Sequence, residues 1–131
     1  MNKLIALTAA LLALSTVPAF ASFGLMCEGP DGITANVPLG AGVGLVPLGA
    51  EVKAAGRTWT TEAGVAGTTQ IVPAQAASVD NRLYLDFSDA DAAAMLVEIR
   101  LFWAEEETDP VYGGTLRIAG QGAWPISCSV G

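Results

Sequence analysis

Apolar and polar residues alternate along much of this chain, and this period-two pattern is the strongest constraint on its fold. In the clearest case one face would carry Val97, Ile99, Leu101 and Trp103, and the other face Glu98, Arg100, Phe102 and Ala104. Successive side chains of a β-strand point to opposite faces of the sheet, so such a segment buries one face and leaves the other in water. The pattern recurs in about eight short segments. We therefore predict an all-β fold, mainly an antiparallel sandwich or a small barrel of about eight strands.

Turn sequences between these segments predict which strands are neighbours. Segments 23–28 and 33–37 flank residues 29–32, which read Gly-Pro-Asp-Gly and strongly favour a turn. The first two strands are therefore predicted to form a hairpin. The last three strands are predicted to form a meander, with a charged hairpin loop over residues 105–110.

Two local features are expected to interrupt the strands. Pro73 is expected to end a short strand at residues 70–72, because proline cannot donate a hydrogen bond to a sheet ladder. The alanine-rich segment that follows a capping serine carries Asp89 and Asp91, whose carboxylates suit the positive end of a helix. We predict one short helix near residues 89–96.

Residues 1–21 have the pattern of a secretory signal peptide. A single cation, Lys3, precedes an apolar run, and the small residues Ala19 and Ala21 suit cleavage by signal peptidase. The run is shorter than the roughly 20 apolar residues that a membrane-spanning helix needs. We predict a periplasmic or secreted protein whose mature part is a single β-domain over residues 22–131.

The charge of the chain restricts its partners. The sequence has 13 Asp and Glu against 6 Lys and Arg, for a formal net charge of −7, and removal of Lys3 with the leader makes the mature chain more negative. Such a chain repels phosphate backbones and anionic headgroups. We predict no nucleic-acid partner and no membrane insertion after signal cleavage. A protein partner, if present, is expected to be basic.

Two cysteines, Cys27 and Cys128, lie near the two ends of the mature chain. An exported chain with an even number of cysteines usually pairs them, so we predict a disulfide. A ring of about 100 residues would contribute on the order of 4–5 kcal/mol in the chain-entropy model. Two unpaired buried thiols are the alternative.

A short repeat offers a candidate binding loop. The sequence Val-Pro-Leu-Gly-Ala occurs at residues 37–41 and again at residues 46–50. Proline and glycine at these spacings favour two turns or two bends at a sheet edge. The alternative is a hydrophobic partner-binding loop, and its candidate residues are Leu39, Val43, Leu45 and Leu48.

Catalytic chemistry has little support in the residue inventory. The chain contains no histidine, which removes the commonest general base and metal ligand. We predict no enzyme activity, no catalytic residue, no cofactor and no metal site. Carboxylate pairs for hydrolysis and a calcium site stay as alternatives for two acidic groups. The groups are Asp86, Asp89 and Asp91, and Glu105, Glu106, Glu107 and Asp109.

Three arginines fall on the outward faces of predicted strands: Arg82, Arg100 and Arg117. We predict that they form cross-strand ladders with Asp86 and Glu98, because opposite charges on neighbouring strands attract.

Five sequence motifs carry a resemblance that covers nearly all of the mature chain. They are Cys27-Glu28-Gly29, residues 37–40, Arg57-Thr58-Trp59, residues 86–89 and residues 109–120. In these motifs the chain resembles small exported bacterial β-domain proteins whose function is uncharacterised. The resemblance implies an exported β-domain and no particular activity.

The sequence Leu25-Met26-Cys27-Glu28-Gly29-Pro30 also loosely resembles the first motif of the inhibitors of c-type lysozyme. Those inhibitors are small exported β-barrels with one cysteine soon after the signal and another near the C-terminus. In this chain Leu25 replaces the leading tyrosine, and the second motif, Ser-Gly-x-x-Tyr, has no counterpart. We predict a non-catalytic exported domain of interaction or envelope-maintenance type. The alternative is a periplasmic inhibitor of c-type lysozyme.

Overall fold

The alternating segments form the strands of one continuous sheet in a computed structural model, which describes residues 22–42, 44–107 and 109–131. The predicted signal peptide lies outside these residues. Besides one 3-10 turn at Pro30–Gly32, the described chain contains ten strands. They are β1 (Ser22–Glu28), β2 (Thr34–Gly42), β3 (Gly44–Pro47), β4 (Glu51–Ala54), β5 (Arg57–Thr60), β6 (Thr69–Val79), β7 (Arg82–Asp89), β8 (Met95–Ala104), β9 (Val111–Ile118) and β10 (Gly122–Val130).

The sheet closes into a barrel. Its strand order is β1-β10-β9-β8-β7-β6-β5-β4-β2-β3, and β1 also pairs with β2. Nine strands therefore complete a ring, while β3 pairs with β2 as a side branch of the sheet. The all-β prediction is confirmed, and the fold is a small barrel rather than a sandwich.

An odd number of strands cannot close with antiparallel pairs alone, because strand directions would have to alternate around the ring. One pair must be parallel, and it is the pair β5 and β6. This ladder is short and joins Trp59 to Thr69 and Thr60 to Gln70. The loop between the two strands contains Gly64 and Gly67, both with positive φ, which glycine adopts without steric cost.

The inward side chains fill the barrel. The buried face predicted for the segment of β8 is confirmed, because Val97 and Ile99 have no exposed surface. Leu85 and Phe87 on the neighbouring strand β7 are buried to the same extent. β1 and β2 form the predicted hairpin, and Leu25 contributes to the same core. A barrel of about eight strands has an interior just wide enough for packed side chains, and this one follows that rule.

The predicted disulfide is confirmed. Cys27 on β1 is bonded to Cys128 on β10, and the two residues are direct partners in the antiparallel ladder. The bond joins the first and last strands at a sequence separation of 101. A disulfide-bonded pair of this kind is consistent with an oxidising compartment.

The predicted helix near residues 89–96 is wrong. Asp89 ends β7 and Met95 begins β8, so the residues between them form a hairpin loop. The backbone N–H of Asp89 donates to the carbonyl of Ala94, and the Asp89 side chain accepts a hydrogen bond from the N–H of Ala93. Ala92 has a φ of 54°, which an α-helix does not allow. The aspartate therefore caps a turn, and the long β7–β8 ladder on both sides overrides the helix propensity of the alanines.

The prediction that Pro73 ends its strand is wrong. β6 continues from Thr69 to Val79, with a register shift between Pro73 and Gln75. A β-bulge takes a residue out of the regular ladder, so a strand with a bulge tolerates proline.

Candidate interaction surface

The Val-Pro-Leu-Gly repeat forms a hairpin with itself. The first copy lies within β2 and the second begins in β3, and the two run antiparallel with Leu39 opposite Pro47 and Gly40 opposite Val46. The copies are therefore neither two turns nor two separate bends. The second copy leaves the ladder after Pro47, where the N–H of Leu48 donates to the carbonyl of Pro38 at 2.8 Å.

The four residues of the predicted binding loop do not share one surface. Leu39 is completely buried in the barrel core, Leu45 is half-buried, and Leu48 is 62% exposed. Val43 lies outside the described residues. An added Cβ on Gly40 would lie 3.2 Å from Leu48, so the Leu48 side chain packs over that glycine on the outside of β2. Leu39 therefore belongs to the core, and Leu48 is the exposed member.

A shallow groove separates β3 from β6. In the described part of the chain β3 is hydrogen-bonded to β2 alone, although it packs beside β6. The groove has a volume of about 160 Å³, and its lining residues are Leu45, Val46, Pro47, Pro73, Ala74, Gln75 and Ala76. Pro47 on β3 and Pro73 on β6 have no backbone N–H, which is consistent with the lack of a hydrogen-bonded ladder between these two strands.

Exposed apolar side chains also occur near one end of the barrel. Eight large apolar side chains are exposed in the described chain, and five of them lie near the end of the barrel where β6, β8 and β10 finish. We call these five the apolar rim: Met26, Val79, Phe102, Val111 and Val130. Phe102 and Val79 are each 54% exposed and Val111 is 69% exposed. Phe102 and Val111 lie on the adjacent strands β8 and β9 at the centre of the rim, and neighbouring exposed apolar side chains of this kind are typical of contact surfaces.

Strand register places Arg82 between two of the rim residues, Val79 and Phe102. Val79 is paired with Arg82 on β7, Arg82 with Phe102 on β8, and Phe102 with Gly113 on β9. Gly113, the direct partner of Phe102 on β9, has no side chain. The Arg82 guanidinium lies 5.2 Å from the centroid of the same ring, a cation–π distance.

A depression opens beside Val111. It has a volume of about 420 Å³ and is lined by Asp109, Pro110, Val111, Cys128, Ser129 and Val130. Its walls therefore combine two rim residues with one carboxylate from the β8–β9 loop.

The β8–β9 loop carries unpaired negative charge next to the rim. Glu105, Glu106, Glu107 and Asp109 are all exposed. Among the described residues no salt bridge joins any of these four carboxylates to a cation. The same end of the barrel also carries exposed Asp80, which follows Val79 in the β6–β7 turn.

Cations on the neighbouring outer face are already paired, as the predicted ladders require. Arg100 on β8 binds both carboxylate oxygens of Asp86 on β7, at 2.5 and 3.3 Å. Arg117 on β9 binds Glu98 on β8. The hydrogen bond that Arg100 donates to Asp86 is the main cause that raises the pKa of the Arg100 guanidinium above its ordinary value. The predicted ladders of Arg100 and Arg117 are confirmed, whereas Arg82 contacts Phe102.

Replacing Arg100 with methionine is expected to lower the free energy of unfolding by about 2 kcal/mol, because the buried Asp86 carboxylate would lose its charged partner. Arg117→Met is the matched control. It should cost less than about 1 kcal/mol, because the Arg117 side chain is 58% exposed. Urea unfolding followed by tryptophan fluorescence measures both. Equal losses in the two variants would contradict the structural role of the buried pair.

The first acidic group is divided among structural roles. Asp86 is buried beneath Arg100, Asp89 caps the β7–β8 turn, and Asp91 is exposed in that turn. Within residues 22–42, 44–107 and 109–131, no three His, Cys, Asp or Glu side chains form a group that could hold a metal ion.

The apolar rim was not predicted from the sequence, although one signal was present. Phe102 falls on the same face of its strand as Glu98 and Arg100, so the alternation already placed a large aromatic residue among polar ones. The other rim residues have no such signal, because they come from different strands and meet through the sheet register.

No protein-family model, curated protein or solved structure matches this chain in the comparisons. Across the described residues, no helix has the length and apolar character needed to cross a membrane.

Proposed function

We propose that this chain is a non-catalytic exported β-barrel domain of interaction or envelope-maintenance type, which acts in the periplasm or outside the cell by binding another protein. The signal-peptide pattern of residues 1–21 and the disulfide between Cys27 and Cys128 support the exported location. Identification of the bound protein would define the specific role of the domain.

One observation carries the proposal. The barrel interior is filled by packed apolar side chains, whereas Met26, Val79, Phe102 and Val111 are exposed near one end. Apolar side chains gain free energy when they leave water, by about 25 cal/mol for each Å² buried. A partner that covers this rim would bury surface that the isolated domain leaves exposed.

Photo-crosslinking tests the proposal in the cell envelope. A benzophenone amino acid replaces Phe102 on the rim, and a second variant carries it at Lys53 on β4, on the opposite side of the barrel. We expect irradiation to produce a defined adduct with another protein from position 102 and none from position 53. Equal adducts from both positions, or none from either, would count against a binding role for the rim.

Inhibition of c-type lysozyme is the second candidate. The structure is a small barrel whose first and last strands are joined by a disulfide, which agrees with the architecture of those inhibitors. Its net negative charge would favour association with a basic enzyme. In a turbidity assay with the mature protein in molar excess, inhibition predicts slower bacterial lysis. Unchanged lysis rejects this candidate.

A further inference from the structure

We propose that the apolar rim binds a cationic, amphipathic segment of an exported partner protein. Apolar side chains of that segment would cover Phe102, Val79 and Val111, and its lysine or arginine side chains would face the carboxylates of the β8–β9 loop. This inference rests on the proposed function, because it assumes that the domain binds a protein.

Charge complementarity selects the class of partner. Glu105, Glu106, Glu107 and Asp109 are exposed beside the rim and make no salt bridge within the described ranges. Lys53, Arg100 and Arg117 pair with carboxylates elsewhere. Arg82 lies over the Phe102 ring at the same end, but these four carboxylates and Asp80 outnumber that single cation. The field at this end is therefore net negative, so it attracts cations and repels anions.

The same field disfavours two other occupants. A second copy of the chain docked rim to rim would bring two β8–β9 loops together, and each carries four exposed carboxylates. An anionic lipid surface would meet the same repulsion. A cationic amphipathic segment is attracted by the negative field, and its apolar side chains also gain free energy when they bury the rim.

The depression beside Val111 suits a lysine or arginine side chain. Pro110, Val111 and Val130 provide apolar walls for the methylene groups of such a side chain, and Asp109 provides a carboxylate for its charged head. Long cationic side chains often bury their stems in this manner while the charge stays at the edge.

Peptide binding tests the proposal with defined probes. A peptide of alternating lysine and valine is titrated into the oxidised mature protein, and a peptide of alternating glutamate and valine serves as the charge-reversed probe. Calorimetry gives the affinity, and amide shifts in two-dimensional NMR locate the site. We expect the lysine peptide to shift amides of β8, β9 and their loop, with an affinity that falls about tenfold between about 20 mM and about 200 mM salt.

Matched variants separate the rim from bulk charge. Phe102→Ser, with Val111→Ser as a second apolar variant, is expected to weaken binding of the lysine peptide about fivefold or more. Glu105→Gln/Glu106→Gln should weaken it to a similar degree. Glu51→Gln/Glu62→Gln removes the same charge from the region of β4 and the loop after β5, and should change the affinity less than about twofold.

Several results would overturn the inference. They are equal binding of the two peptides, amide shifts confined to β4 and β5, and unchanged affinity in both serine variants. A dimer in sedimentation that Phe102→Ser abolishes would assign the rim to a second copy. Binding to phosphatidylglycerol vesicles in place of the peptide would assign it to lipid. A crosslink from position 102 without peptide binding would leave the proposed function standing and reject the cationic partner. Absence of both the crosslink and peptide binding would reject the proposed function as well as the cationic partner.

Discussion

Replacing Gly114 with alanine is expected to lower the free energy of unfolding by more than about 3 kcal/mol, because β8 and β9 would have to separate. A Cβ on Gly114 would lie 1.9 Å from the carbonyl oxygen of Arg100 and 3.0 Å from the Cα of Leu101. Both atoms belong to the backbone of β8, so no side-chain rotation can relieve the clash. Urea unfolding followed by tryptophan fluorescence gives the change in free energy.

Gly113 provides a control one residue away on the same strand. A Cβ there would meet its nearest heavy atom, the carbonyl oxygen of Ile126, at 3.9 Å, which is ordinary contact. Gly113→Ala should therefore change the free energy of unfolding by less than about 1 kcal/mol, and restriction of the unfolded chain even favours a small gain. Equal stability of the Gly114→Ala and Gly113→Ala variants would contradict the close approach of β9 to the backbone of β8 at Gly114.

Removing the disulfide by Cys27→Ala/Cys128→Ala is expected to cost about 4 kcal/mol of stability, because the bond restricts a long segment of the unfolded chain. The bonded residues are 101 positions apart, and they hold β1 against β10 where the barrel closes. The double variant is preferred, since a single substitution leaves a reactive thiol. The loss appears as a lower urea midpoint than that of the wild type under oxidising conditions.

Chemical reduction offers an independent check of the same effect. Wild-type protein treated with a reductant should unfold near the midpoint of the double variant. Ser127→Ala, on the outer face of β10 beside Cys128, serves as the control and should change stability by less than about 0.5 kcal/mol. A double variant as stable as the oxidised wild type would show that the barrel closes without help from the bond.

Alternation predicted the buried faces of strands such as β7 and β8, because the pattern depends only on neighbouring residues. Leu85 and Phe87 on β7 and Ile99 on β8 are buried as their period-two spacing requires. The same local reasoning failed over residues 89–96. There the residues between two long strands are too few for a helix, and Asp89 caps a turn instead.

The candidate binding site was harder to predict than the core. Leu39 is a candidate residue of the hydrophobic binding loop, the alternative to two turns or bends, but it lies in β2 and faces the core. Phe102 could have been noticed on the polar face of its strand. Its proximity to Val79 and Val111 could not be predicted, because it depends on how the four strands β6 to β9 align.

Local patterning of residues was sufficient for the all-β class, the inward faces and the N-terminal hairpin, and the even cysteine count of an exported chain predicted the pairing of Cys27 with Cys128. Closure into nine strands, the parallel contact between β5 and β6, and the apolar rim emerged only from the folded barrel. The physical reason is that a strand's own sequence sets which side chains point inward, whereas the identity, direction and register of its neighbours depend on the packing of the whole sheet.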